Sequence, residues 1–137
     1  MKFAERIIEA FLRLALAAGF LSAVADRFGC WSAAVSVWGN WSAFVDYTGM
    51  INPWLPASLI GPVGWAATVA EVVLAVLLII GYRTEMVAKA SGILLLLFAL
   101  AMTFSTGVKG AFDYSVFSAA AGAFALSLLK ERAWRFR

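Results

Sequence analysis

Four apolar stretches in this chain are each close to the ~20 residues that an α-helix needs to cross the hydrocarbon core of a bilayer. They cover about residues 7–28, 62–80, 86–106 and 112–129. Each is apolar on nearly all sides at helical spacing, which is typical of membrane helices and not of the amphipathic helices of soluble proteins. The sequence therefore predicts an all-α, integral membrane four-helix bundle that forms one domain over residues 1–137.

The composition indicates that lipid is part of the solvent. Of the 137 residues, 64% are hydrophobic and only 14% are charged, whereas soluble domains have about 25% charged residues. Histidine is absent and Cys30 is the single cysteine, which excludes a His-ligated haem or metal site, a Ser-His-Asp triad and a Cys-X-X-Cys redox centre. We therefore expect no metal, and the net charge of +3 does not indicate nucleic acid, because basic residues collect at the cytoplasmic ends of membrane helices.

The distribution of basic residues predicts an orientation. Eight of them fall at the N-terminus, in the turn between the second and third segments and at the C-terminus, and only Arg27 and Lys109 fall on the other side. The positive-inside rule then places both termini in the cytoplasm. Glu5 and Glu9 fall in what would be the basic start of a signal peptide and Arg13 interrupts its apolar core, which argues against a cleaved signal peptide. The eight basic residues are Lys2, Arg6, Arg83, Lys89, Lys130, Arg132, Arg135 and Arg137.

The longest stretch between the apolar segments, residues 29–61, holds four of the six tryptophans. Trp41, Phe44, Val45 and Thr48 follow the i, i+3, i+4, i+7 spacing of one helix face, which predicts a short interfacial helix over about 41–51 on the outer membrane surface. The helix should end near Asn52, because Pro53 follows it. Its aromatic side chains either anchor the bundle as an interfacial belt or cover a ligand.

Two charges lie inside apolar segments. Glu71 lies midway between Pro62, which is suited to a first helical turn, and Gly81, which is suited to a C-terminal stop. A charge near the bilayer centre costs about 2.5–3.5 kcal/mol, so we expect Glu71 and Arg13 to face the bundle interior and to form a buried pair. Because the side chains of antiparallel helices lean apart, a water or hydroxyl is expected to bridge them. The pair either fixes the helix register or lets Glu71 exchange a proton with a substrate or quinone.

A polar cluster lies in the outer turn between the third and fourth segments. Lys109, Asp113 and Tyr114 fall there, and Asp26 lies at the outer end of the first segment. These four residues form a candidate outer ligand pocket, in which Lys109 and Tyr114 would donate to a carbonyl or an anion. Alternatively, Asp113 caps the fourth helix, where the helix dipole also favours an anion.

The order and spacing of several short motifs across the four segments resemble the DoxX family of small four-helix membrane proteins. The resemblance implies a bundle in a bacterial cytoplasmic (inner) membrane and an association with redox systems. Relatives include the small DoxD-type subunit of thiosulfate:quinone oxidoreductases. The residues that carry the resemblance are Arg13, Gly19-Phe20, Glu71, the "GYRT" of 81–84 and the "FDYSVF" of 112–117.

The leading functional hypothesis is an integral membrane subunit of a redox or sulfur-oxidising assembly with a quinone-accessible cleft. The chain contains no recognisable electron carrier, so we expect it to act with a redox-protein partner and not as a complete enzyme. A second hypothesis is a small proton-coupled transporter or exchanger that uses Glu71 and Arg13. A third is a purely structural membrane partner, and homo-oligomerisation is left open in each case.

Overall fold

The computed structural model describes residues 1–136, which contain six helices and no strand. The prediction of an all-α fold is confirmed. The helices are α1 (Lys2–Arg27), α2 (Trp41–Ile51), α3 (Ala57–Ile80), α4 (Thr84–Ser105), α5 (Val108–Asp113) and α6 (Val116–Leu128).

Three helices, α1, α3 and α4, are long and apolar enough to cross a membrane. Their outward faces leave large apolar side chains exposed, among them Phe11, Val73 and Leu97. Soluble monomers rarely expose continuous apolar surface of this kind, so these faces favour contact with a lipid bilayer. The fourth apolar helix, α6, has only 13 residues and is therefore about 20 Å long at the helical rise.

Two of the predicted helix starts were five residues too late. α1 begins at Lys2 and not near residue 7, and α3 begins at Ala57 and not at Pro62. Pro62 lies inside α3, where its missing N–H removes one hydrogen bond, to the carbonyl of Ser58 four residues earlier. Gly81 ends α3 as predicted, since it adopts a left-handed conformation (φ 80°) and its N–H donates to the Leu77 carbonyl.

The fourth apolar segment is not one helix over 112–129 but two, α5 and α6, separated at Ser115. Ser115 has a φ of 56°, and this left-handed backbone interrupts the helical path. Asp113 consequently lies at the end of α5 and not at the start of a helix. The expected cap formed by Asp113 is therefore wrong.

α2 has the predicted bounds, and it packs against α3 through aromatic rings. The Asn40 side chain begins the helix by accepting from the Ala43 N–H (2.8 Å). The centres of the Trp41 ring and of the Trp65 ring in α3 lie 4.2 Å apart. A Cβ at Gly64 of α3 would lie 3.3 Å from the Phe44 ring, so a small residue there allows the two helices to approach closely.

The bundle has two distinct ends. The loop end carries residues 28–40 and α2, and the terminal end carries the N-terminus and the turn between α3 and α4. Residues 129–136, the C-terminal strap, run back across the terminal end in a non-helical conformation. Glu5 accepts from the N–H groups of Lys130 (3.0 Å) and Glu131 (2.6 Å), and Phe136 donates its N–H to the Gly81 carbonyl (3.3 Å).

Candidate functional site

Glu71 forms a buried ion pair with Arg27. Arg27 Nη2 donates to Glu71 Oε1 (2.9 Å), and the two side chains are 3% and 2% exposed. Arg27 Nη1 donates to the hydroxyl of Thr68 (2.8 Å), and that hydroxyl donates in turn to the Gly64 carbonyl (2.8 Å). Glu71 is buried as expected, but the predicted pair with Arg13 is wrong.

The direction of the side chains explains the change of partner. Side chains on a helix lean toward its N-terminus, and α1 and α3 pack against each other with opposite directions. Arg27 therefore leans from the loop end down toward Glu71, while Glu71 leans up toward Arg27. Arg13 leans toward the terminal end, away from Glu71.

Arg13 is also fully buried, but it belongs to the terminal end of the bundle. It donates to Glu9 of the same helix (3.1 Å) and to the Leu78 carbonyl (2.8 Å). It also donates to the carbonyl of Trp134 in the C-terminal strap (2.9 Å), and its guanidinium lies 3.9 Å from the centre of the Trp134 ring. Arg13 therefore joins α1 and α3 to the strap.

A cleft of about 980 Å³ lies between α1, α2, α3, α4 and α6. Its walls are mainly apolar and include Phe20, Leu94 and Phe98. Arg27 and Glu71 form part of the same wall. The cleft is at the upper end of the size range of small-molecule sites, which are mostly apolar with a few polar groups that orient the ligand.

Three buried polar atoms in residues that line this cleft have no hydrogen-bond partner within residues 1–136. They are Arg27 Nε, Trp38 Nε1 and Glu71 Oε2. Buried polar groups are nearly always satisfied, and each exception calls for an explanation. One carboxylate acceptor and two N–H donors therefore remain available where the cleft meets the Arg27–Glu71 pair.

Asp26 holds the loop that brings Trp38 to this place. Its carboxylate accepts from the backbone N–H groups of Val37 (2.8 Å) and Gly39 (3.0 Å), which flank Trp38. The Arg27 guanidinium lies 5.3 Å from the Trp38 ring centre and 3.8 Å from that of Phe44. Both rings lie within the distance at which an aromatic face attracts a cation.

The predicted outer ligand pocket is not assembled. Asp26 is occupied by the loop backbone, and Lys109 forms an exposed pair with Asp113 (2.7 Å) within α5. Of the four residues only Tyr114 lines the cleft. Tyr47 of α2 also lines it; burial, together with the nearby Tyr114, raises the pKa of the Tyr47 phenol, so its hydroxyl stays neutral and can donate.

Sequence reasoning missed the role of Arg27, although a signal was present. Arg27 follows Arg13 by 14 residues, or about four helical turns, so both lie near one face of α1. Arg27 is also one of only two basic residues away from the terminal end. Trp38 gave no such signal, because it is placed by the hydrogen bonds of a loop.

Residues 1–136 contain no group of three His, Cys, Asp or Glu side chains that could hold a metal ion. No protein-family model, curated protein or solved structure matches this chain.

Proposed function

We propose that this chain is an integral membrane four-helix protein that holds a quinone-class molecule in its cleft, as the membrane subunit of a redox or sulfur-oxidising assembly. The observation that carries the proposal is the apolar cleft of about 980 Å³ whose wall contains the Arg27–Glu71 pair and three unpartnered polar atoms. A quinone-class molecule has a long apolar tail and a compact polar head group, which match a cleft that is mainly apolar and has a few polar atoms in its wall.

The three polar atoms without hydrogen-bond partners could bind the head group of either redox form, the quinone or the quinol. A quinone carbonyl accepts hydrogen bonds, and Trp38 Nε1 and Arg27 Nε are donors that have no partner within residues 1–136. A quinol hydroxyl also donates, and Glu71 Oε2 is an acceptor that has no partner in the same part of the chain. A small movement of these buried side chains toward the cleft would allow the contact.

The wider role rests on the resemblance to the DoxX family, with a bacterial inner membrane as the location and a redox protein as the partner. In this proposal α1, α3 and α4 cross the membrane, and α5 with α6 forms the fourth crossing. α2 lies at the outer surface, and the partner supplies the electron carrier. A transporter that relies on Arg13 and Glu71 acting together has no support in the geometry, since each is paired elsewhere.

Filling the cleft is expected to weaken quinone binding without unfolding the protein. Gly19 lines the cleft, and a Cβ there would meet no atom within 4 Å, so Gly19→Phe should place its ring in the cleft. We expect at least about a tenfold weaker affinity, since a blocked apolar contact of this size is worth more than ~1.4 kcal/mol. The measurement is quinone retained on the purified protein in nanodiscs, by ultraviolet absorbance and mass spectrometry.

The matched control is Gly61→Phe. Gly61 also has free space around its Cβ but is not among the residues that line the cleft. This variant should bind quinone as the wild type does. Equal binding by Gly19→Phe and Gly61→Phe would contradict the placement in the cleft, and a wild type without any quinone affinity would contradict the function itself.

The proposed orientation puts the terminal end in the cytoplasm. An alkaline phosphatase fused after Arg137 should therefore be inactive, because the enzyme is active only outside the cytoplasm. The same enzyme inserted after Ala34, in the exposed loop between α1 and α2, should be active. The reverse pattern of activities would overturn the orientation.

A further inference from the structure

A second pocket, of about 420 Å³, lies at the terminal end between the C-terminal strap and the start of α4. Its walls hold three arginines, Arg83, Arg132 and Arg135, and one carboxylate, Glu85. Glu85 is paired with Lys89 (3.1 Å), and Arg132 lies 3.5 Å from Glu9. Arg83 and Arg135 have no carboxylate within 4.0 Å among residues 1–136, so the pocket carries an excess of positive charge.

The first turn of α4 adds donors to the same place. α4 has 22 residues and begins after Arg83 without a side-chain cap, so its first N–H groups are available to an anion. Thr84 belongs to the pocket wall and is only 4% exposed. Its hydroxyl is buried and has no hydrogen-bond partner in the described part of the chain, which is a second and independent sign of a missing acceptor.

We propose that this pocket binds a phosphate group. Phosphate oxygens accept hydrogen bonds from arginine, hydroxyl and helix N-terminal N–H groups together. The pocket lies at the ends of helices that are suited to a bilayer, where the headgroup of an anionic phospholipid is one source of phosphate. Free inorganic phosphate is the other source with the same chemistry.

Residues from two separate parts of the chain form this binding site, so a bound phosphate would connect those two parts. Arg132 and Arg135 come from the C-terminal strap, whereas Arg83 comes from the turn after α3 and Thr84 from the first turn of α4. A phosphate between them would fasten the strap to this turn. This inference is independent of the quinone proposal, because the two pockets have no residue in common.

The test is hydrogen exchange of the strap amides, read by mass spectrometry on the full chain in nanodiscs. Discs of digalactosyldiacylglycerol, whose headgroup carries no phosphate, are compared with discs that also contain phosphatidylglycerol, and with the phosphate-free discs in inorganic phosphate. We expect phosphatidylglycerol to slow exchange in residues 130–136. Slowing by inorganic phosphate as well would identify phosphate itself as sufficient, and slowing by the lipid alone would identify the headgroup.

The variants distinguish binding in the pocket from a general attraction of anions to the positive surface. Arg83→Gln and Arg135→Gln should each weaken the protection about fivefold, as expected for the loss of one basic residue near an anionic surface. Lys130→Gln removes an equal charge from an exposed residue at the same end that does not line the pocket and has no carboxylate within 4.0 Å among residues 1–136, and it should leave the protection unchanged. Protection by neither ligand, or an equal loss in Lys130→Gln, would overturn the proposal.

Discussion

Glu71→Gln is expected to lower the free energy of unfolding by about 3–5 kcal/mol, the usual cost of removing one member of a buried ion pair. The loss follows because Arg27 would keep its charge in a site where its side chain is 3% exposed. Arginine cannot shed its proton to escape this cost. Chemical unfolding of the purified protein in detergent measures the change.

A double-mutant cycle tests which arginine is the partner. If Arg27 pairs with Glu71, the double variant Arg27→Gln with Glu71→Gln should be more stable than the sum of the single changes predicts, by more than ~0.5 kcal/mol. Arg13→Gln with Glu71→Gln is the control, and its effects should add within that limit, because Arg13 pairs with Glu9. Additive effects for Arg27 and coupled effects for Arg13 would restore the pairing first expected from the sequence.

Gly81→Ala is expected to be the most damaging replacement of a glycine at a helix end in this chain. A Cβ at Gly81 would lie 2.5 Å from Arg13 Nη2 and 2.7 Å from the Trp134 carbonyl oxygen. The left-handed backbone at this residue already costs a residue with a side chain about 1–2 kcal/mol. Displacing Arg13 would add the cost of a disturbed buried charge, so we expect the free energy of unfolding to fall by more than ~3 kcal/mol in total. We also expect release of the C-terminal strap, which is measured by protease cleavage within residues 130–136.

Gly107→Ala separates the cost of the backbone conformation from the cost of the steric clash with Arg13 and Trp134. Gly107 also has a positive φ (106°), but a Cβ there would meet no atom within 4 Å. The backbone at Gly107 (φ 106°, ψ 157°) is one that almost only glycine adopts, so this variant should lose only the conformational part, about 1–3 kcal/mol, and should keep the strap resistant to protease. Equal protease resistance of the strap in the two variants would show that contact with Arg13 and Trp134 contributes nothing.

The sequence predicted the features that depend on local pattern. The apolar segments, the bounds of α2 and the stop at Gly81 follow from side-chain hydrophobicity, helical spacing and the conformational freedom of glycine. The burial of Arg13 and Glu71 also followed, because a charge within an apolar helix is costly in contact with lipid. None of these predictions required knowledge of which helices are neighbours.

The partners of the charges depended on three-dimensional detail. Arg13 and Glu71 are close enough in depth to pair, but the lean of their side chains separates them and favours Arg27. The break at Ser115 was not visible either, since serine has no strong preference for the left-handed backbone that it adopts there (φ 56°). The strap was missed because its hydrogen bonds to α1 and to the end of α3 join residues between 55 and 126 positions apart.

Three carboxylates in this protein accept hydrogen bonds from the backbone N–H groups of other segments of the chain. Glu5 accepts from the N–H groups of residues 130 and 131, Glu9 from that of residue 133, and Asp26 from those of residues 37 to 39. Such contacts do not depend on the side chains of the residues that donate. Positions 37, 130 and 133 can therefore change in evolution to almost any residue except proline, which lacks the N–H, while the structure that they form persists.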